Sequence, residues 1–463
     1  MKTATSWNYA PYAPPFHDAG DPYVTRIVPG TDSIHVEWLD KDGDTYRVFW
    51  RVRKEEEFKN YVDVTGDGVT IDGLACDLDY EVLVCHGANF EKQSRIRLAR
   101  TGEVFGTPVN YLHPIDRAYS FSGEFLCSPS MVRHPDGYLL ASMDLFHGKA
   151  PQNLTLIFRS DDDGETWHYV SELFPCYWGK LFVHRGELYM ISVSTEYGDL
   201  LIGRSDDGGK TFATPTVLLR GSCCTAFPGV HKTPMPMLTY NGRLWMTLEW
   251  GCWTQGYHAV MVGSIDENAD LLDPKSWTFT DPVKYDPTWN GVAEGGSRGN
   301  IEGCLTVFPN GELYNVMRYD MLKCTPNYGR FLAYKVNTDD PSAPLTYSHP
   351  VFMDGNHSKA EIHRDPETGM YYSIISRILD SEHTSARNLL SLMRSPDCKN
   401  WELACDLLDK RDEDPAKVGF QYVSFFIEGN DILYLCRTAM NNAVNFHDSN
   451  YITFHRIKNF REI

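Results

Sequence analysis

Short runs of alternating apolar and polar residues fill the first hundred positions of the chain. Alternation with a period of two is typical of half-buried β-strands, and turn-forming residues between such runs favour antiparallel packing in two sheets. The pattern therefore predicts a small β-sandwich at residues 20–102, preceded by an N-terminal extension at residues 1–19. The runs are SIHVEWLD, DTYRVFWRV, GVTIDGL, YEVLVCHGAN and SRIRLART.

A longer repeat begins after Gly106 and occurs six times. Each unit has an apolar strand, a turn that contains glycine, and a second apolar strand. Successive second strands start between 49 residues (137 to 186) and 69 residues (242 to 311) apart. A repeat of this length with several short strands is typical of a propeller blade, so we expect an all-β chain whose residues 103–463 form a six-bladed β-propeller after the small β-sandwich. The outer strand of the last unit is missing, and we expect residues 106–114 to close the ring. The second strands start at Gly137, Gly186, Gly242, Gly311, Gly369 and Gly429.

Two of the units carry nearly the same turn after their third strand. Residues 160–167 (SDDDGETW) and 205–212 (SDDGGKTF) both match S-x-D-x-G-x-T-[WF], and degenerate copies start at residues 264, 337 and 395. In such a turn the aspartate accepts backbone N–H bonds, while the glycine supplies a positive φ. We therefore expect these carboxylates to stabilise the turns and to take no part in catalysis.

This turn is the Asp-box, and its spacing resembles that of the sialidase-like β-propeller superfamily. The resemblance covers about residues 106–463 and specifies the fold better than the function. In the sandwich, Trp38, Tyr46, Leu74 and Tyr80 resemble the fibronectin type III pattern. Modules of that kind are more often spacers than catalysts.

Candidate chemistry lies where the strands of each hairpin meet. Because antiparallel strands run in opposite directions, the start of a first strand lies beside the end of the second strand. Glu302 and Arg318 hold these two positions in the fourth unit, and Arg377 and Arg437 end the second strands of the next two units. Either each arginine pairs with a carboxylate of its own blade, or the three arginines bind an anionic substrate group, for which the guanidinium fork is well suited.

The family resemblance implies roles for some of these residues. Sialidases have a glutamate at the start of one first strand, an arginine at the end of the paired strand, and a tyrosine at the start of a later first strand. Glu302, Arg318 and Tyr422 match these positions, which implies that Tyr422 is the nucleophile and Glu302 its base. A tyrosine needs such a base because its ordinary pKa is about 10.

The chain also departs from the sialidase pattern. Cys127 and the residues after it, CSPS, replace the arginine of the first blade. The catalytic aspartate of the family is matched only approximately by Asp144, and His147 lies in the same loop. These departures argue against a true sialidase and favour a related enzyme for another sugar. The expected substrate-binding residues are Arg318, Arg377, Arg437, His231, His357, Lys359, Trp178 and Gln421.

Three functions follow from this set of residues. The first is an exo-acting glycoside hydrolase for a terminal acidic or deoxy sugar, in which Asp144 or His147 protonates the leaving group. The second is a polysaccharide lyase that eliminates next to a uronate, of the rhamnose-glucuronate type, with Tyr422, His231 or His357, and an arginine in the site. The third is a carbohydrate-binding protein without turnover.

Composition narrows the partners and the compartment. A net charge of −19 argues against a nucleic-acid partner, which requires clustered lysine and arginine. The N-terminus has no apolar signal region and the chain has no apolar run of about 18 residues, so we expect no membrane span. Twelve cysteines without CxxC spacing favour free thiols in the cytoplasm, although a secreted chain that has lost its signal peptide would have the same features. No ligand spacing predicts a metal or another cofactor, and the sequence does not determine the oligomeric state.

Overall fold

The computed structural model describes residues 21–39, 44–222, 227–256, 258–355 and 358–463. These residues form 35 β-strands and three 3-10 helices, which confirms the predicted all-β class. No helix in the described ranges has the length and apolar character needed to cross a membrane. The 3-10 helices are Trp253–Gln255, Pro274–Ser276 and Phe460–Glu462.

The N-terminal part is a β-sandwich of two antiparallel sheets. One sheet has the strand order β1-β2-β5, and the other has the order β4-β3-β6-β7 with β8 also paired to β6. Inward-facing side chains such as Val36 and Trp38 form its core, which continues into Tyr111 and Tyr451 of the propeller. The strands are β1 Val24–Pro29, β2 Ile34–Trp38, β3 Thr45–Val52, β4 Asn60–Thr65, β5 Gly68–Ile71, β6 Asp79–His86, β7 Lys92–Gln93 and β8 Arg97–Arg100.

Six further antiparallel sheets are the blades of the propeller, as predicted. Blade one contains β10 Phe125–Arg133, β11 Leu139–Phe146, β12 Thr155–Ser160 and β13 His168–Leu173, and blade two contains β14 Tyr177–His184, β15 Glu187–Val193, β16 Leu200–Ser205 and β17 Thr216–Leu219. Blade three contains β18 Gly229–His231, β19 Leu238–Tyr240, β20 Arg243–Gly251, β21 Ala259–Asp266 and β22 Thr278–Phe279. Blade four contains β24 Asn300–Val307, β25 Leu313–Tyr319, β27 Arg330–Lys335 and β28 Thr346–Phe352, beside a small sheet of β23 Glu294–Gly295 and β26 Cys324–Thr325. Blade five contains β29 Ile362–Arg364, β30 Tyr371–Ser376, β31 Leu389–Ser395 and β32 Glu402–Asp409, and blade six contains β33 Gly419–Glu428, β34 Asp431–Ala439 and β35 Tyr451–Ile457.

The ring is closed by a strand from the N-terminal side of the propeller. Strand β9, Thr107–Tyr111, pairs with β35 and completes blade six, as predicted for residues 106–114. The buried Arg26 of the sandwich holds this strand by donating hydrogen bonds to the carbonyl oxygens of Val109, at 2.8 Å, and Pro108, at 2.9 Å. Arg26 also pairs with Glu37 at 2.8 Å. The sandwich therefore supports the strand that closes the propeller.

The repeated turns use their carboxylates internally. Asp162 accepts hydrogen bonds from the Thr166 amide at 2.9 Å and from the Ser160 hydroxyl at 2.8 Å. Asp207 repeats both contacts in the next blade. These aspartates stabilise the local turn, which is the role that Asx-turn geometry predicts.

Candidate active site

Four of the six innermost strands are interrupted by a β-bulge at the same end of the propeller. The register shifts in blades one, two, four and six, and each bulge contains a non-glycine residue with a left-handed backbone. Bulges redirect side chains, and strained backbone of this kind clusters at functional sites. The four residues are Ser128 (φ 52°), Trp178 (φ 50°), Glu302 (φ 59°) and Tyr422 (φ 54°).

All four bulge residues line one cavity of about 420 Å³ on the propeller axis. Its volume is within the range of small-molecule sites, roughly 300–1,000 Å³. The structure brings six of the residues predicted from the sequence to its wall: Tyr422, Glu302, Arg318, Arg437, His231 and Trp178. The wall also contains Arg387, His447, Glu196 and Trp253.

Arg318 connects the two residues that the sequence proposes for catalysis. Its Nη1 donates one hydrogen bond to Glu302 Oε2 at 2.7 Å and another to Tyr422 Oη at 3.0 Å. The hairpin of β24 and β25 creates this contact, since Ile301 pairs with Arg318 and the bulge turns Glu302 into the cavity. The carboxylate and the phenol thus share one hydrogen-bond donor.

Two more guanidinium groups lie against the Tyr422 ring. The Cζ atoms of Arg387 and Arg437 are 5.5 and 5.3 Å from the ring centroid. Burial, together with the nearby charges of Arg318 and Arg437 and against the opposing effect of Tyr422, lowers the pKa of Arg387 to about 10. Because crowded buried cations repel one another, an anion bound among them would be stabilised.

The Arg437 side chain is only partly satisfied by the protein. Its Nη2 donates to the backbone carbonyl oxygen of His447. Its Nε is buried and has no hydrogen-bond acceptor among the residues that the structure describes. A buried charged donor of this kind favours a ligand oxygen nearby.

Glu302 remains a carboxylate despite its burial. Burial alone would raise the pKa of Glu302, but the charge and hydrogen bond of Arg318, with smaller contributions from His231 and Arg387, hold the pKa below its ordinary value. A buried carboxyl group normally becomes protonated unless a cation compensates for it. Arg318 therefore keeps Glu302 ionised and able to accept a proton.

The opposite wall of the cavity is aromatic. The Trp178 ring lies 4.8 Å from the Tyr177 ring and 4.3 Å from the His231 ring, measured between centroids. Trp253 is 45% exposed at the rim, and its Nε1 donates a 2.5 Å hydrogen bond to Glu196 Oε1. The cavity thus has a cationic side and an aromatic side, a combination suited to a sugar that carries a negative charge.

Arg377 does not reach the cavity, which corrects the prediction from the sequence. Its Nη2 donates to both carboxylate oxygens of Asp406, at 2.7 and 2.9 Å, and its Nε donates to Ser391. Side chains alternate along a strand, and the Ser376 hydroxyl already contacts the carbonyl oxygen of Phe420 in blade six. Arg377 therefore faces the other side of its sheet and pairs with a carboxylate of its own blade.

Arg387 is among the cavity residues that the sequence analysis did not predict, beside His447, Glu196 and Trp253. It lies just before β31, at the same sheet edge as the end of β30, because these two strands are antiparallel. Hairpin geometry places the start of a third strand at the same edge as the end of the second, so the position of Arg387 is consistent with the repeat. Gln421, predicted to bind substrate, is fully buried and instead accepts a hydrogen bond from Arg387 Nη1.

The predicted proton donors do not line the cavity. Asp144 is 0% exposed and accepts a 2.5 Å hydrogen bond from the Thr155 hydroxyl. His147 packs its ring against Phe125, with centroids 5.9 Å apart. Both positions follow from strand β11 ending at Phe146, so that Asp144 is still inside the sheet.

Two further predictions concern the start of blade five. Lys359 is 1% exposed and forms a buried ion pair with Glu361 at 2.9 Å, so it does not face the cavity. His357 lies outside the described residues. Within the described ranges, no three His, Cys, Asp or Glu side chains form a group that could hold a metal ion.

Asp144→Asn is expected to stabilise the protein and to leave activity intact. Burial raises the pKa of Asp144 from 3.8 to about 7. Stability from the protonated carboxyl is therefore complete below pH 4 and is lost as the pH rises to about 7. The variant should gain roughly 2–3 kcal/mol at pH 8 and little at pH 4, because its amide oxygen still accepts the Thr155 hydrogen bond. Unfolding temperatures of both proteins across this pH range measure the difference. Loss of turnover in a folded variant would restore Asp144 as the proton donor.

Comparisons with known proteins support the fold. No family model matches the chain, and no curated protein matches its sequence. The GH93 α-L-arabinofuranosidase of Fusarium graminearum, solved with arabinobiose, is 15% identical and has a TM-score of 0.52 over 78% of this chain and 99% of that chain. The leech intramolecular trans-sialidase, solved with 2,7-anhydro-Neu5Ac, is 8% identical and has a TM-score of 0.50 over 95% of this chain and 97% of that chain. At these identities the likeness shows the fold alone, a β-propeller.

Proposed function

We propose that the protein is an exo-acting glycoside hydrolase that removes a terminal anionic sugar from an oligosaccharide. The observation that carries this proposal is the convergence of Arg318, Arg387 and Arg437 on Tyr422 in one cavity. Three guanidinium groups at this spacing favour a carboxylate or an equivalent anion as ligand. The modest volume of this cavity, about 420 Å³, favours one terminal residue over an internal chain segment.

The reacting groups are Tyr422 and Glu302. The Tyr422 oxygen attacks the anomeric carbon of the bound sugar, and Glu302 takes the phenol proton. Arg318 holds both oxygens on one nitrogen and keeps Glu302 ionised. A neutral phenol approaches an anionic sugar without the repulsion that a carboxylate nucleophile would meet.

The comparison structures support a glycosidase in a general way. One of them is an arabinofuranosidase complexed with arabinobiose, and the other is a trans-sialidase complexed with an anhydro derivative of Neu5Ac. For this chain we propose an anionic ligand, as in the trans-sialidase complex, because the cavity wall holds three arginines.

A second candidate is elimination next to a uronate. It is favoured by the direct contact of Tyr422 Oη with Arg318, which would place a proton-accepting oxygen beside a guanidinium that neutralises the uronate carboxylate. Hydrolysis adds one water to the products, whereas elimination adds none and creates a conjugated double bond.

Turnover of a panel of acidic and neutral oligosaccharides, followed by product mass and ultraviolet absorbance, tests the proposed function. We expect release of a single anionic monosaccharide with the mass of one added water and without new absorbance. An unsaturated product would establish the lyase instead. Binding of an acidic oligosaccharide without any product would contradict both enzymatic functions.

Trp253→Ala is expected to raise KM about 10-fold and to change kcat little. The exposed indole ring at the rim offers a face for the sugar next to the terminal one, and such a contact contributes roughly 1–2 kcal/mol. Initial rates over a range of substrate concentrations give the two constants. Leu322→Ala, which removes another exposed apolar side chain away from the cavity wall, is the control. Equal KM values for wild type and Trp253→Ala would exclude Trp253 from substrate binding.

A further inference from the structure

His231 and Glu249 form a buried pair at the cavity. They lie directly opposite each other on β18 and β20, and His231 Nδ1 is 2.5 Å from Glu249 Oε2. Both side chains are 1% exposed, yet His231 forms part of the cavity wall. An ionised carboxylate only accepts hydrogen bonds, so Nδ1 carries the proton in this contact. The second nitrogen, Nε2, has no hydrogen-bond partner among the described residues.

Glu249 also holds the neighbouring strand. Its Oε1 accepts a 3.2 Å hydrogen bond from the Gly303 amide, the residue that follows Glu302. One carboxylate thus fixes the tautomer and orientation of His231 and the backbone beside the bulge that carries Glu302. Carboxylate–histidine pairs of this kind prepare the free ring nitrogen for proton transfer.

We propose that His231 is the acid/base residue of the reaction, with Glu249 as its positioning residue; this inference rests on the proposed hydrolase function. In the first step the His231 Nε2–H proton passes to the glycosidic oxygen as the bond from that oxygen to the anomeric carbon breaks and the bond from Tyr422 forms. In the second step water attacks the same carbon, gives one proton to Nε2 and releases Tyr422. The phenol proton passes to Glu302 in the first step and returns in the second.

The other titratable groups of the cavity are occupied or poorly suited to this role. Glu196 accepts hydrogen bonds from Gln152 and Trp253 on its two oxygens. Burial, together with the charge of Arg437, lowers the pKa of His447 to about 4, so this ring is neutral at pH 7. His231 is therefore the cavity residue with a nitrogen prepared for proton transfer.

The charged and titratable groups around His231 come from four elements. They are Glu249 on β20, Glu302 on β24, Tyr197 after β15 and His258 before β21. Burial lowers the pKa of His258 to about 2, so it carries no charge near neutral pH. Two of these four groups are carboxyl side chains, and Glu249 contacts the ring directly.

The dependence on leaving group tests the proposal. Two glycosides of the released sugar are compared, one with a nitrophenyl group that needs no proton and one with an alkyl group that does. We expect His231→Gln to lose about 10²–10⁴-fold in kcat/KM on the alkyl glycoside and less than about 10-fold on the nitrophenyl glycoside. Azide, which needs no general base, should accelerate the variant on the nitrophenyl substrate, and one limb of the pH profile should be lost.

Controls separate this inference from the proposed function. His184→Gln, at the end of β14 away from the cavity and in contact with the Glu267 carbonyl oxygen, should behave like wild type on both substrates. The glutamine side chain can donate a hydrogen bond to Glu249 in place of the imidazole Nδ1, so we expect His231→Gln to fold. If it does not fold, Glu249→Gln is assayed on the same two glycosides. We expect this second variant to lose more activity on the alkyl glycoside than on the nitrophenyl glycoside. Equal losses on the two glycosides, or no loss, would overturn the role of His231 while the hydrolase function stands. A wild-type protein without turnover of any substrate would overturn the proposed function as well.

Discussion

Tyr422→Phe is expected to reduce kcat by on the order of 10³-fold or more, while the acidic sugar still binds. The change removes one oxygen, the atom that contacts Arg318 Nη1 at 3.0 Å, and it leaves the ring between the Arg387 and Arg437 side chains. Because those guanidinium groups remain, the anion-binding side of the cavity is preserved. Single-turnover kinetics and a binding titration with the released sugar measure the two effects separately.

Tyr314→Phe is the matched control for this change. Tyr314 lies on β25 in blade four, where its hydroxyl donates to Glu312 in the turn between β24 and β25, outside the cavity wall. It should have wild-type turnover. A Tyr422→Phe protein that retains more than about a tenth of the wild-type kcat would exclude the phenol oxygen from the reaction.

Arg387→Met is expected to raise KM for the acidic substrate by about 10–100-fold, since hydrogen bonds to charged groups contribute roughly 1.5–3 kcal/mol. The same variant should bind the methyl ester of that substrate as well as the wild type does. Comparing the change in KM for the acid with the change for the ester separates the loss of an interaction with the substrate's charge from a change in the shape of the pocket. Initial rates with the two substrates give the comparison.

Arg377→Met supplies the control for arginine loss. Arg377 pairs with Asp406 on the outer strand of blade five and lies outside the cavity wall, so its removal should leave both KM values unchanged. Equal effects of Arg387→Met on acid and ester would show that Arg387 shapes the pocket without binding an anion.

The fold could be predicted because propeller blades repeat. Glycine turns and period-two alternation recur in every unit, and each occurrence strengthens the interpretation of the others. The closing strand β9 was also predictable, because the last unit is one strand short. Repetition does not determine which side chains reach the axis.

The site was only partly predictable for geometric reasons. Hairpin direction alone places Glu302 beside Arg318, whereas Tyr422 joins them only through the repeat of the blades and the family resemblance. Arg377 was misplaced because a shift of one residue turns a side chain to the opposite face of a sheet. Arg387 follows a loop of polar residues whose path cannot be read from alternation.

The β-bulges explain the remaining difference. In a strand with strict alternation, the face on which Glu302 or Tyr422 lies would depend only on its position along the strand. Both residues instead have a left-handed backbone, which turns their side chains into the cavity. Asp144 lies in a strand without such a residue at that position and stays buried. Interrupted alternation beside Glu302-Gly303 and Trp178-Gly179 is the signal in the sequence that could have indicated the bulges.

We propose above all that the protein hydrolyses the glycosidic bond of a terminal anionic sugar in this cavity. Product analysis in isotopically labelled water tests it most directly, with each acidic oligosaccharide compared with its methyl ester and with a neutral chain of equal length. We expect the release of a single anionic monosaccharide with one labelled oxygen, and much slower reactions of the ester and the neutral chain. Release of a neutral sugar at an equal rate, or a product without labelled oxygen, would contradict it.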